Sequence, residues 1–277
     1  MELVWLGEEA AHDAALTGGK ASALSRLAAG YRVPPGFVLT TQAFERQGLL
    51  SESVLAAAYQ RLAAAVGDEA PRVAVRSSAV DEDGEASSFA GQHETYLNLC
   101  GVDEVLGAVR RCWESARSER ALEYRRHHGL GADDPTIAVL VQQLVPADIS
   151  AVVFSMNPLT GASEVVINAA WGLGESIVGG TTTPDTVIVE RPGLEVRERT
   201  VGEKRRMTVS VPGGTREVEV PALLRSRLAI TDDQAVTAAR LATALEETAG
   251  HPVDIECAFA GGELFLLQAR PITTLAR

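Results

Sequence analysis

Apolar residues recur at helical spacing in four stretches of the chain. After "TGGK", the residues Ala21, Leu24, Leu27 and Ala28 form one stripe, and Gly30 offers a stop. Residues 52–66 and 103–128 follow the same period, the second through Val105, Leu106, Val109, Trp113, Ala116 and Leu122. A fourth helix is predicted over 232–249, from the cap Thr231 to the stop Gly250. Short β-branched runs predict strands between the helices. "VPPGFVLTT" breaks and enters one, with Thr41 placed to cap a short helix. Residues 72–77 read as a strand ending at Arg76, and 95–99 as another. The second half is richer in strands: "TIAVLVQQLV", "SAVVFSM", "EVVINAAWG", "DTVIVER", "LEVRERTV" and "EKRRMTVSV", then a closing pair, "PVDIECAF" and "ELFLLQARP". "GADDP" marks a break, which divides the chain into 1–134 and 135–277. Strands and helices mixed in this way indicate an α+β or α/β protein.

One connection does not fit a minimal fold. Between the strands "RVAV" and "TYLNL" lies "RSSAVDEDGEASSFAGQHET", long, small-residued and acidic. Ser87, Ser88, Ala90 and Gly91 leave the backbone free to approach a ligand, as glycine-rich loops do over phosphates. Phe89 argues against a purely solvated loop, so the segment reads as a lid.

Charge narrows the ligands. The 277 residues carry a formal charge of −12, which disfavours nucleic acid or an anionic membrane as partner. An acidic protein that binds phosphate must gather its cations locally. Only two lysines occur, Lys20 and Lys204, each close to glycine, in "TGGKAS" and "VGEKRR". Two glycines ahead of a helix, with a lysine in its first turn, suit an anion through free N–H groups and the helix dipole. Cys100, Cys112 and Cys257 are widely spaced and read as reduced, mostly buried thiols. No apolar run has the roughly 18–20 residues needed to span a bilayer. "MELVWLGEEA" lacks a basic start, so a soluble, cytoplasmic protein is expected.

The closing strand pair carries candidate metal chemistry. Asp254 and Glu256 share one strand face, and Gln268 and Arg270 share another. Whether the two faces coincide depends on the turn. A two-residue Gly261–Gly262 loop sets Glu256 opposite Leu267 and turns Gln268 away. A three-residue loop that includes Ala260 sets Asp254 opposite Gln268 and brings all four polar chains to one face. A carboxylate and an amide oxygen together can ligate Mg²⁺, and an arginine beside them can clamp phosphate.

Several blocks together carry a resemblance: "GGKASALSRLAAGYRVPPGFVLTT", "VAVRSSAVDEDGEASSFAGQHETYLNL", "VLVQQLVPADISAVVFSMNPLTG", "WGLGESIVGGTTTPDTVIVER" and "VDIECAFAGGELFLLQARPIT". In order, over nearly the whole chain, they resemble the ATP-binding region of the phosphoenolpyruvate synthase, pyruvate phosphate dikinase and rifampin phosphotransferase family. The resemblance implies a two-lobed ATP-grasp fold with mixed, largely antiparallel sheets, closing on Mg²⁺ and ATP. It implies that Lys20 and Arg76 hold phosphates, and that Gly91 and Thr95 belong to a phosphate-covering loop. It puts Gln142 at the adenine hinge, Glu256 and Gln268 on Mg²⁺, and Arg270 on the terminal phosphates. Lys204 matches a family Gly-x-Lys stretch without an evident role. Catalysis would rest on Lys20, Arg76 and Arg270.

The family passes phosphate through a histidine on a swivelling domain. None of His12, His93, His127, His128 and His251 has that histidine's setting. The expected function is therefore transfer of a phosphoryl or pyrophosphoryl group from ATP to a histidine of a partner or a missing domain, forming AMP, with a small molecule as final acceptor. A self-sufficient ATP-grasp ligase or kinase, and a non-catalytic nucleotide-binding module, are the alternatives.

Overall fold

The computed structural model describes residues 1–46, 52–80, 94–127 and 136–272. The chain forms two compact units, Met1–Leu144 and Val145–Arg277.

The first unit contains β1 (Leu3–Trp5), α1 (Ala14–Leu27), β2 (Gly36–Leu39), α2 (Thr41–Glu45), α3 (Glu52–Val66), β3 (Val73–Ala79), β4 (Thr95–Leu99), α4 (Val102–Ser115), α5 (Glu119–His127) and β5 (Ile137–Gln143). Its sheet runs β1-β2-β5-β3-β4, with every pairing antiparallel. Alternation along the strands divides the residues between two faces. Phe37, Leu39, Val73, Val75, Val139 and Val141 meet α3 through Leu55, Tyr59 and Leu62, and α4 through Val105, Val109 and Trp113. Each such side chain contributes about 1.5–3 kcal/mol of burial, which fixes the register and therefore the opposite face. That face carries Ala74, Arg76 and Ser78, and α1 packs on it.

The unit extends past the boundary expected at 134, because β5 pairs with both β2 and β3 and completes this sheet. Arg76 is not a strand end. β3 continues through Ala79, since Ser77, Ser78 and Ala79 keep pairing with Val139, Ala138 and Ile137. The helix expected over 103–128 is two helices, broken after Ser115 where the backbone turns through Arg117 and Ser118. The cap of α2 is Thr40, whose Oγ1 accepts from Ala43 N; Thr41 instead donates to Ala15 O.

The second unit contains β6 (Ile149–Phe154), β7 (Glu164–Trp171), α6 (Glu175–Val178), β8 (Asp185–Glu190), β9 (Val196–Thr200), β10 (Arg206–Val211), β11 (Gly214–Glu219), α7 (Ala222–Arg225), α8 (Asp232–Ala249), β12 (Val253–Ala260) and β13 (Glu263–Pro271). Six strands form an antiparallel sheet, β13-β12-β6-β7-β8-β9, while β10 and β11 pair as a separate hairpin. α8 starts at a capping box, Thr231 with Gln234, and stops at Gly250 in the left-handed region. Its buried stripe is Ala235, Ala238, Ala239, Ala242 and Leu245, mostly alanine, so the helix lies close on the sheet. Beneath it Ala151, Val153, Ile167, Ala169, Val187, Val189, Ile255 and Cys257 are buried. On the second face Val152, Asn168, Thr186, Glu256 and Gln268 are half-buried, whereas Ser150, Ala170, Ala258 and Asp254 are buried, so that face is open only in part.

Candidate functional site

In the first unit, Lys20 owes its position to Gly18. That glycine has φ 74 inside α1 and kinks the helix, which leaves Lys20 in the first turn of the segment running to Leu27. A Cβ at Gly18 would lie 2.1 Å from Ser78 O, so only glycine allows this approach to β3. Past the kink, Ala21 N donates to Ser78 Oγ at 3.1 Å, and Lys20 Nζ donates to Ser77 O at 3.3 Å. Lys20 is 8% exposed and Arg76 9%. Arg76 stands opposite Thr95 in the ladder, so these two share a face with Ser78, on the α1 side. The structure therefore brings Lys20, Arg76 and Thr95 onto one side of one sheet. Gly91 and His93, with the greater part of the proposed lid, lie outside the described residues. Gln142 is 1% exposed, and its Nε2 donates to Pro34 O at 2.9 Å. Its side chain thus holds the Pro34 turn against β5.

In the second unit, β12 and β13 resolve the question of the turn by a route the sequence reading did not consider. The turn is the two-residue one: Ala260 pairs with Glu263 across Gly261 and Gly262, both at positive φ. A bulge then skips Leu267, so Cys257 faces Leu266 while Glu256 faces Gln268 and Asp254 faces Arg270. All four polar side chains end on the face away from α8. Arg270 Nε and Nη2 both lie 2.8 Å from Asp254 Oδ2. The other carboxylate oxygen, Asp254 Oδ1, is buried and has no hydrogen-bond partner among the described residues. Burial raises the Asp254 carboxyl above the ordinary aspartate range, Arg270 pulls it back down, and Glu256 pushes it up.

This set fits a hard divalent cation. A buried carboxylate oxygen without a partner is costly unless a positive charge meets it. Asp254, Glu256 and Gln268 supply oxygen donors of the kind Mg²⁺ takes, and Mg²⁺ fills its remaining positions with water and phosphate. Among the described residues no group of three His, Cys, Asp or Glu forms an all-protein cage. Sequence reasoning gave Asp254 only a secondary place; its cue was the shared face with Glu256.

Lys204 has a structural position. It is fully buried, paired with the equally buried Asp185, and its Nζ donates to Gly202 O at 3.0 Å. Asp185 also accepts from Gly202 N at 2.9 Å and Ala229 N at 2.6 Å. The pair thus ties the start of β8 to the segments before β10 and α8.

Residues 50–277 match the family model described as pyruvate phosphate dikinase, AMP/ATP-binding domain. The chain is 34% identical to the probable phosphoenolpyruvate synthase of Methanocaldococcus jannaschii, over 99% of this chain and 27% of the relative. It is 40% identical to the phosphoenolpyruvate synthase of Pyrococcus furiosus, over 79% of this chain and 28% of that one. It is 36% identical to the uncharacterized phosphotransferase YvkC of Bacillus subtilis, over 98% of this chain and 35% of the relative. The chain thus spans about a third of the length of these relatives.

Proposed function

Because the chain belongs to the pyruvate phosphate dikinase AMP/ATP-binding domain family, we propose that it is the Mg–ATP-binding part of an ATP-grasp phosphotransferase. It passes the β,γ-pyrophosphoryl group of ATP to a histidine carried by another domain or a partner protein, leaving AMP; loss of the outer phosphate to water then leaves a phosphohistidine, whereas transfer of the γ-phosphoryl group alone would leave ADP. The observation that carries the reading is the β12–β13 pair, where the bulge gathers Asp254, Glu256, Gln268 and Arg270 on one face and Asp254 Oδ1 lacks a partner among the described residues.

Each residue then has a role its chemistry suits. Glu256 and Gln268, with Asp254, hold Mg²⁺, which supplies charge neutralisation on the phosphates. Arg270 grips the terminal phosphates with its planar fork, while Asp254 keeps that fork aimed. Lys20 and Arg76 bring two cations to the first unit's sheet, where burial strengthens their pull on phosphate. Thr95 stands opposite Arg76, and Thr95 and Gly91 are proposed as residues of the phosphate-covering loop. The adenine edge meets the backbone that follows β5; the Gln142 amide is already engaged with Pro34. Phosphoryl transfer needs little covalent help from the protein, so positioning and charge are the contribution of this chain. The incoming histidine attacks phosphorus in line.

The relatives extend well beyond the matched region, which favours a histidine domain over direct use of a small acceptor. The test is to incubate the chain with Mg–ATP, with and without a histidine domain taken from a relative, and to follow AMP, ADP and protein-bound phosphate. AMP formation that depends on the histidine domain is expected. Turnover with a small acceptor and no such domain would replace this reading with a ligase or kinase. Binding without transfer under every condition would make the chain a nucleotide-binding module.

A further inference from the structure

The half-buried part of the face away from α8 continues past the proposed metal residues. The ladder sets Gln268 opposite Glu256, Glu256 opposite Val152, Val152 opposite Asn168, and Asn168 opposite Thr186. Residues directly opposite in a ladder point to the same side. These five side chains therefore form one row across the sheet, all half-buried, on the face away from α8. Polar residues stand at both ends of the row with a single valine between them.

Asn168 is oriented. Thr186 Oγ1 donates to Asn168 Oδ1 at 3.0 Å, which engages the amide oxygen and leaves the nitrogen as the group available to a ligand. Among the described residues Nδ2 has no hydrogen-bond partner. A half-buried polar side chain whose oxygen is held by its neighbour and whose donor is unused is prepared for a ligand acceptor.

Its place in the row indicates which acceptor. Among the described strands β13 is the edge of the sheet, and from Glu256 and Gln268 these strands extend on the β6 side. Asn168 lies two strands along in that direction, about 10 Å from Glu256 at the usual strand spacing. A nucleotide whose terminal phosphates sit at Glu256 and Gln268 can reach that far only with the part nearer its nucleoside.

We infer that Asn168, held by Thr186, is a further ligand-binding residue of this site, donating its amide N–H to an oxygen on the nucleoside side of the bound nucleotide, either the α-phosphate or a ribose hydroxyl. The inference rests on the Mg–ATP reading above and adds a contact outside the metal and terminal-phosphate residues.

Titration calorimetry of the full chain tests it, using Mg–ATP, AMP, tripolyphosphate, and 2′-deoxy- and 3′-deoxy-ATP. Asn168→Ala weakens Mg–ATP and AMP about tenfold, the effect of one hydrogen bond to a charged or well-placed acceptor. It leaves tripolyphosphate unchanged. Thr186→Val, which only frees the amide to rotate, weakens ATP by a smaller factor in the same direction. A loss that disappears with one deoxy analogue assigns the acceptor to that hydroxyl, and a loss that persists with both assigns it to the α-phosphate. If Asn168→Ala binds ATP like the unaltered chain with an unchanged melting curve, or weakens tripolyphosphate as much as ATP, the inference is overturned while the metal site stands. If the unaltered chain binds none of these ligands, the Mg–ATP reading itself fails, and the Asn168 contact with it.

Discussion

Lys204 shows how far a single residue's chemistry can be read without its partner. The chain has only two lysines, and both invite a role in phosphate binding. Yet Lys204 is sealed against Asp185. The sequence offers no cue for that pairing, because it depends on where β8 begins relative to a loop outside any strand. Breaking a buried pair leaves an uncompensated charge and costs about 3–5 kcal/mol. Lys204→Met should lower stability to urea by about that amount, and Asp185→Asn added to it should restore part of the loss. An unchanged urea midpoint would contradict the buried pair. The thiols lead to a second prediction. Burial pushes Cys112 and Cys257 up to about 12, because the low-dielectric interior disfavours the thiolate. Raising the pH from 7 to 9 leaves both protonated, so iodoacetamide should label neither in the native protein and both after unfolding. Counting labelled sites by mass spectrometry checks this. Asp254, Glu256, Gln268 and Arg270 were legible as polar residues of one strand pair, whereas the buried Asp254 Oδ1, without a partner among the described residues, is visible only in three dimensions.

At the scale of elements, period and caps sufficed wherever a helix carried its own signals. α3 and α8 start and stop where the pattern places them, and α8 does so through Thr231, Gln234 and Gly250. Long-range pairing decided the rest. β3 runs beyond Arg76 because β5 lies beside it, a fact absent from any local window. The hairpin of β12 and β13 is the clearest case. Turn length alone predicts the wrong partner for Glu256, and one bulge at Leu267 restores the shared face. Deleting Leu267 should then close a regular ladder with Glu256 still opposite Gln268, so Mg-dependent nucleotide binding should survive. Deleting Ala269 should instead swing Arg270 to the α8 side and abolish binding. Loss of binding in both deletions would remove the bulge argument. In the first unit, Gly18→Ala introduces a Cβ that overlaps Ser78 O at a positive φ. It should cost at least about 1–3 kcal/mol and weaken nucleotide binding by displacing Lys20. Equal melting temperatures for the two proteins would refute the close approach.

For the molecule as a whole, the formal charge is −12, and the proposed function assigns phosphate to a few cations: Lys20 and Arg76, buried in the first unit, and Arg270, paired with Asp254 in the second. Two antiparallel-sheeted units were legible as a mixed strand and helix pattern, and the family resemblance supplied their expected purpose. Their border was legible only roughly, because β5 belongs to the first sheet by pairing and not by composition. The helices described include none long and apolar enough to cross a membrane. The most direct measurement of the central claim is calorimetric titration of ATP into the chain with and without Mg²⁺, repeated with Glu256→Gln. Tight binding that needs Mg²⁺ and falls at least tenfold in Glu256→Gln is the predicted result. Binding that ignores both the metal and the substitution would contradict it.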